Sequence, residues 1–349
     1  RNQVLLERLK QGEHEKFAPF LKKLEKDVRH RLSDEGATIN NKKRLNILLS
    51  DVKSIQRSIY DDYLKQLTLD LGEIGLNQAE LEALSYEKVV VKFESTIPSA
   101  AQVSAALRVN PLQVEGYTGN PLLEPFINDW SKSRIQQVNT VIQQGFYRGA
   151  TISDMTSELR GTKTNKFNDG TWAKVNRSNR TIVRTAIQHA SQQARHETMK
   201  QNSDIVKGYE WVSTLDSKTS DICAGLDGRR FKIGEGIVPP AHPNCRSTTT
   251  PVFSESFDFL NKGATRASKG SSGGKQVDAK ETYYSWLKGQ PKAFQEEAIG
   301  VSKSKLLRDG GLSAEQFAKQ SLNRNFEPLT MAEWKKKNPV IFAEADIKL

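Results

Sequence analysis

The sequence predicts an α+β protein dominated by helices, and three observations carry that expectation. Apolar residues recur at three- and four-residue steps through much of the first 200 positions, the spacing of amphipathic helices. Short β-branched and aromatic runs, separated by the turn signals Asp227-Gly228 and Gly234-Glu-Gly236, cluster between 208 and 253. Short helical segments anchored by Tyr283, Tyr284, Trp286, Phe294, Phe317 and Trp334 follow after 278. At 349 residues the chain has room for two domains or three.

The elements follow in order. Phe17, Phe20, Leu21, Leu24, Val28 and Leu32 share one helix face, and Ser33-Asp-Glu-Gly36 breaks the pattern. A second stripe runs through Leu45, Leu48, Val52, Ile55, Ile59, Tyr63 and Leu67, so the two helices are expected to pack as an antiparallel hairpin. Val89-Val-Val-Lys-Phe93 is short and β-branched, a strand candidate, with a small-residue helix after it over 100–109. Residues 110–125 hold Pro111, Pro121 and Pro125, an irregular connector. A helix is expected over 126–146, and another after Thr151-Ile-Ser153 with Ser153 as N-cap. A long helix then runs from about Arg177 to Lys200. Three short strands are expected at 209–213, 229–233 and 247–250. Residues 261–277, rich in Gly, Ser and Lys, read as a flexible linker because they offer little apolar surface to offset ordering entropy.

Composition excludes several classes. No run of about 18 apolar residues occurs, so no membrane-spanning helix is expected, and the start of the chain lacks the uncharged stretch of a signal peptide. Two cysteines do not make a disulfide scaffold in a chain this long. Lys and Arg number 52 against 41 Asp and Glu, a formal charge of +11, which favours polyanionic partners. Part of that charge is concentrated in 160–184, where Lys163, Lys166, Lys174, Arg177, Arg180 and Arg184 are candidate phosphate contacts for sequence-indifferent binding of nucleic acid. Aromatic residues are sparse there, so base stacking on single strands is not favoured.

The residues that could carry chemistry concentrate between 211 and 246. Cys223 and Cys245, the only cysteines of the chain, lie 22 residues apart, and His242 precedes Cys245 by three. Two thiolates and an imidazole on turns form a workable part of a tetrahedral zinc set, with Asp221 or Asp216 able to supply an oxygen. The same residues also read as two buried, reduced cysteines with a turn-holding histidine, or as a disulfide, disfavoured in a reducing cytosol but able to form in an extracellular particle. A Cys223–His242 nucleophile and base can be drawn, but no oxyanion hole or nucleophile elbow accompanies it. No P-loop, Rossmann glycine pattern or H-E-x-x-H occurs.

The arrangement Trp211…Asp216…Thr219…Cys223…Leu226-Asp227-Gly228, followed by Pro239-Pro240…His242-Pro243-Asn244-Cys245-Arg246, resembles the signature of the phage Mu F-like head morphogenesis proteins, minor head proteins of tailed bacteriophages. That family typically reads W-x-x-x-x-D-x-R-T-C-x-x-C-x-x-L-x-G and then P-P-x-H-P-N-C-R-C. Trp211, Asp216, Gly228, Pro240 and Arg246 are the structural motif positions this implies. The segment from Tyr283 through Pro328 resembles the C-terminal part of many such proteins, so the resemblance covers about 130–350. Ser220 and Ser247 stand where the family pattern carries cysteines, which halves the thiolates available to zinc.

Four regions are expected: a helical N-terminal region over 1–120, which resembles no family, a Mu F-like domain over 121–260, the linker over 261–277, and a helical tail over 278–349. The N-terminal region and the linker follow from periodicity and composition, not from the resemblance. The resemblance implies a non-enzymatic minor capsid protein, made in the host cytoplasm and carried in the virion at the head interior or portal vertex. Its partners would be the portal or the major capsid protein, with packaged double-stranded DNA beside it and no membrane. The alternative is a metal-dependent hydrolase or toxin-like effector carried on a head-protein module.

Overall fold

The structure, a computed structural model, describes residues 2–90, 93–115, 119–254 and 263–348. It is 60% helix and 9% strand, a predominantly helical α+β fold. Two compact units are interleaved in sequence, one built from 1–77, 103–112 and 117–191, the other from 78–102, 113–116 and 192–349.

The first unit is all helical. Helices α1 (Asn2–Glu15), α2 (Ala18–Ser33) and α3 (Lys42–Val89) come first, then α4 (Ala100–Val109), α5 (Leu123–Tyr147), α6 (Ile152–Arg160) and α7 (Thr171–Gln201). α3 and α7 each continue into residues of the second unit. The expected hairpin is present: Phe20 packs against Tyr63 at 5.3 Å between ring centroids, and Arg31 pairs with Asp51 at 2.9 Å, contacts whose opposite order along the chain makes α2 and α3 antiparallel. Leu24, Val28, Leu32, Leu48 and Val52 are fully buried, as the stripes require. Phe17, Tyr60, Tyr63 and Trp130 form an aromatic cluster at the end of the hairpin away from its connecting loop, with Phe17 and Tyr63 rings 4.7 Å apart.

α7 departs from a simple amphipathic helix. Within the first unit it buries Asn179, Thr185, Gln188 and His189 completely. Such burial is tolerated because partners are supplied: Asn179 Nδ2 donates to the Tyr63 hydroxyl at 2.8 Å, and the Gln188 side-chain oxygen accepts from Lys10, itself buried, at 2.5 Å. Arg184 is held by an ion pair with Glu7.

The second unit carries the strands. β1 (Val206–Val212) is central, with β2 (Arg230–Phe231) and β3 (Thr248–Phe253) antiparallel on either side; the short helix α8 (Asp221–Leu226) lies between β1 and β2 in sequence. β4 (Thr265–Gly270) and β5 (Gly273–Asp278) form a hairpin. Six short helices follow: α9 (Tyr283–Lys288), α10 (Lys292–Ile299), α11 (Val301–Asp309), α12 (Ala314–Gln320), α13 (Met331–Lys337) and α14 (Pro339–Glu344). Their core is Tyr283, Tyr284, Trp286, Leu287, Leu306, Leu307, Phe317, Trp334 and Phe342, the aromatic anchors read from the sequence together with their aliphatic neighbours.

Three expectations are corrected. Residues 265–277, expected to be flexible, form the β4–β5 hairpin with Asp278; Lys269 N–H donates to the Leu215 carbonyl at 2.8 Å and the half-buried Arg266 pairs with the buried Asp227, so polar contacts supply what apolar area does not. Residues 261 and 262 lie outside the described residues. Val89, expected in a strand, closes α3, and Val90 N–H still donates to Tyr86 C=O at 2.8 Å, so helix propagation overrides β-branched propensity there; residues 91 and 92 of that run lie outside the described residues. Thr151, not Ser153, caps α6, because Asp154 stands three residues later and completes a reciprocal capping box.

Candidate functional site

The His242-Pro-Asn-Cys245 segment is a tight turn, and its residue types explain why. Cys245 N–H donates to the His242 carbonyl at 3.1 Å; Pro243 fixes the first corner and Asn244 takes the second at φ +60°, a left-handed conformation that Asn tolerates well. The turn puts the His242 ring and the Cys245 thiol side by side. Cys223 arrives from α8, where Ser220 caps the helix and its hydroxyl accepts from Cys223 N–H at 3.4 Å. The two sulfurs stand 3.7 Å apart as free thiols, and His242 Nε2 is 3.2 Å from the Cys223 sulfur. Among the described residues these three are the one set of potential metal ligands that converge, all ligand atoms lying within 4.8 Å of one another.

Electrostatics divides the two thiols. Burial, then the neighbouring Cys245, pushes the Cys223 thiol well up. Cys245 feels the same burial, but contacts from Cys223 and His242 outweigh it and draw its pKa well below the usual value. Burial would lower the His242 pKa, yet the Cys245 sulfur overrides it and raises it.

The remaining motif residues brace this centre. Arg246 grips Asp216 through two parallel bonds of 2.7 and 2.9 Å, and Asp216 also accepts from Lys218 N–H at 3.0 Å and the Thr219 hydroxyl at 3.1 Å. Burial pushes the Asp216 carboxyl up, but Arg246 more than offsets this and leaves it below the usual carboxylate range. Trp211 is fully buried, and its indole N–H donates to Ser213 Oγ at 2.9 Å, which in turn donates to the Cys223 carbonyl at 2.7 Å. Gly228 sits at φ +80° with its N–H on the Trp211 carbonyl; a Cβ there would meet Thr282 at 2.8 Å. Pro240 is buried and precedes the turn.

Asp221 does not join the sulfurs as a ligand. It points to Lys303 of α11 and forms an ion pair with it, because its place at the first turn of α8 aims the carboxylate away from the Cys223 side chain two residues on.

Sequence reasoning missed the most buried charge of the region. Asp227 accepts four hydrogen bonds, from Ser213 N–H at 2.6 Å, Tyr283 N–H at 2.7 Å and both terminal nitrogens of Arg266 at 3.0 Å each. Burial raises its pKa even against Arg266. Asp227 read as half of an Asp-Gly turn, and Arg266 lay in a low-complexity stretch, so neither carried a signal of pairing.

The basic segment of the first unit is rigid. Asp169 gathers Thr162 N–H at 2.8 Å, the Thr162 hydroxyl at 2.7 Å and Asn165 Nδ2 at 2.8 Å, bonds that hold its carboxyl far below the usual range. The Arg160 guanidinium lies over the Phe167 ring at 4.4 Å. Lys163, Lys166, Lys174, Arg177 and Arg180 are exposed on this loop and on the first turns of α7. Arg184, expected with them, instead spends its charge on Glu7.

Residues 136–250, about a third of the chain, match the family model described as phage Mu protein F like protein. The matched span holds β1, β2, α8, the thiol–imidazole centre and the basic segment, and it ends within β3, before the β4–β5 hairpin. Comparison with curated proteins and with solved structures gives no match. No helix among the described residues is long and apolar enough to cross a membrane.

Proposed function

We propose, with the match of residues 136–250 to the phage Mu F-like family as the premise, that this chain is a minor head protein of a tailed bacteriophage, acting structurally in head morphogenesis. One observation carries the reading beyond the match itself: the motif residues spend their polar atoms on one another and on the backbone. Asp216 is consumed by Arg246, Thr219 and Lys218; Trp211 donates to Ser213, which donates to the Cys223 carbonyl; Gly228 exists for its turn. Such a pattern builds a rigid brace rather than a cleft that converges on a substrate.

In this role the chain resides in the virion and binds the portal or the inner capsid. Its exposed basic segment faces packaged double-stranded DNA. A cation set held on a braced loop contacts phosphates without reading sequence and pays little ordering entropy on binding. Purified virions should contain the chain in stoichiometric, low copy number, and its deletion should give defective heads. Its absence from particles would sink the reading. DNA binding should weaken steeply with salt, with log K against log salt falling by about 0.9 per phosphate neutralised. Lys163→Glu with Lys166→Glu should flatten that slope by about two.

A further inference from the structure

We propose that Cys223, His242 and Cys245 bind one Zn²⁺ ion, with the fourth coordination position left to a water molecule beside the hydroxyls of Ser220 and Ser247. This does not rest on the head-protein reading; it follows from the geometry of three side chains. Tetrahedral zinc, with Zn–S of about 2.3 Å and Zn–N of about 2.0 Å, places its sulfurs about 3.8 Å apart and each sulfur about 3.5 Å from the nitrogen. The two sulfurs here stand 3.7 Å apart, and His242 Nε2 is 3.2 Å from the nearer one. A shift of a few tenths of an ångström in the imidazole is all that the ion requires.

The imidazole is also presented the right way round. His242 Nδ1 lies 2.9 Å from the Pro243 carbonyl, an acceptor, so Nδ1 carries the proton and Nε2 offers its lone pair to the sulfurs. Two buried thiolates and an imidazole form a soft set that suits zinc, not magnesium or calcium.

The fourth position separates this site from a closed four-thiolate one. Asp221 is turned to Lys303 and Asp216 is saturated by Arg246, Thr219 and Lys218, so neither carboxylate is available. Ser220 and Ser247 both place hydroxyls in hydrogen-bond contact with the Cys223 sulfur. A neutral hydroxyl is a weak zinc ligand but a good partner for a zinc-bound water. Binding takes up Zn²⁺ on the two sulfurs and the neutral imidazole, and the thiol protons leave to solvent. The ion would clip α8 to the His242–Cys245 turn across 22 residues of chain, so its binding free energy adds to folding free energy.

The full-length chain, purified under reducing conditions, tests this by zinc content, by Co²⁺ titration followed in the visible and near-ultraviolet, and by thermal melting with and without chelator. Expected are one ion per chain, tetrahedral cobalt bands with thiolate charge transfer, and a lower Tm after chelation. His242→Ala should remove the cobalt spectrum. Ser247→Cys should strengthen charge transfer and tighten zinc at least about tenfold, because it adds a thiolate at the open position. Should His242→Ala fail to fold, Ser247→Cys and the wild-type titration still decide. A folded, reduced wild-type chain with no cobalt bands and a Tm indifferent to zinc and chelator overturns the proposal. So does an affinity unchanged by Ser247→Cys, or a spectrum that survives in a folded His242→Ala chain.

Discussion

Acidification should destabilise the first unit through one side chain, His189 of α7. The ring is fully buried; its Nε2 lies 3.2 Å from the Leu107 carbonyl of α4 and accordingly carries the proton, while Nδ1 has no hydrogen-bond partner. Burial drives its pKa down to about 4, with the Leu107 carbonyl opposing only weakly. In the unfolded chain the same imidazole titrates near about 6.5. Between those two values the unfolded state binds more protons than the folded one, so stability falls as pH drops from about 6.5 to about 4 and levels off below. A displacement of about 2.5 pH units at about 1.4 kcal/mol each gives a loss of about 3 kcal/mol by pH 4, of which about 2 has gone by pH 5. That is a large part of the 5–15 kcal/mol typical of a domain.

The assay is urea unfolding at a series of pH values, for the wild type and for His189→Gln. The glutamine amide can still donate to the Leu107 carbonyl but does not titrate. Groups common to both proteins, including Glu7 and Asp216 with their lowered pKa values, cancel in the difference. The difference in stability should be nearly constant above pH 7 and should move by about 3 kcal/mol in favour of the variant by pH 4. Parallel curves for the two proteins would refute the claim that His189 is held neutral by burial.

Three further outcomes follow from the second unit. Arg266→Ala should cost about 3–5 kcal/mol by thermal or urea unfolding, because it strands the Asp227 carboxylate in the interior; a loss below about 1 kcal/mol would mean the pair is not buried in solution. Asp216→Asn should cost about 1–2 kcal/mol at neutral pH. The wild type should lose that advantage as pH falls below the unfolded carboxylate value and through its own lowered pKa, and a cost that persists at low pH contradicts the Arg246 pairing. Gly228→Ala should destabilise by about 1–2 kcal/mol or more, since the residue is left-handed and its Cβ meets Thr282; an unchanged melting temperature would contradict that backbone.

Much of the fold was legible because it depends on local period. The stripes 17–32 and 45–67, the helix around Phe126 to Phe146 and the three strands of the small sheet emerge close to their expected places, since a one-sided apolar pattern has few other ways to be buried. The hairpin of 265–278 was not legible, because its order comes from Arg266 reaching Asp227, 39 residues away, and not from apolar content. α7 hid a buried polar face for a similar reason: Gln188 and Asn179 look solvent-facing until Lys10 and Tyr63 are known to meet them.

The same division runs through the functional centre. The sequence by itself singled out Cys223, His242 and Cys245 as one candidate ligand set beside other readings, placed these residues on turns, and carried the resemblance of the region to the Mu F-like pattern. Tertiary structure alone decided that Asp221 faces Lys303 instead of the sulfurs, that Arg184 answers Glu7 instead of a phosphate, and that Asp216 and Arg246 close on each other. Spacing along the chain specifies which residues can be neighbours on a turn or a helix face. Which charge meets which is set by distant segments, since every buried ion must find its counterpart wherever the packing of the remaining chain delivers one.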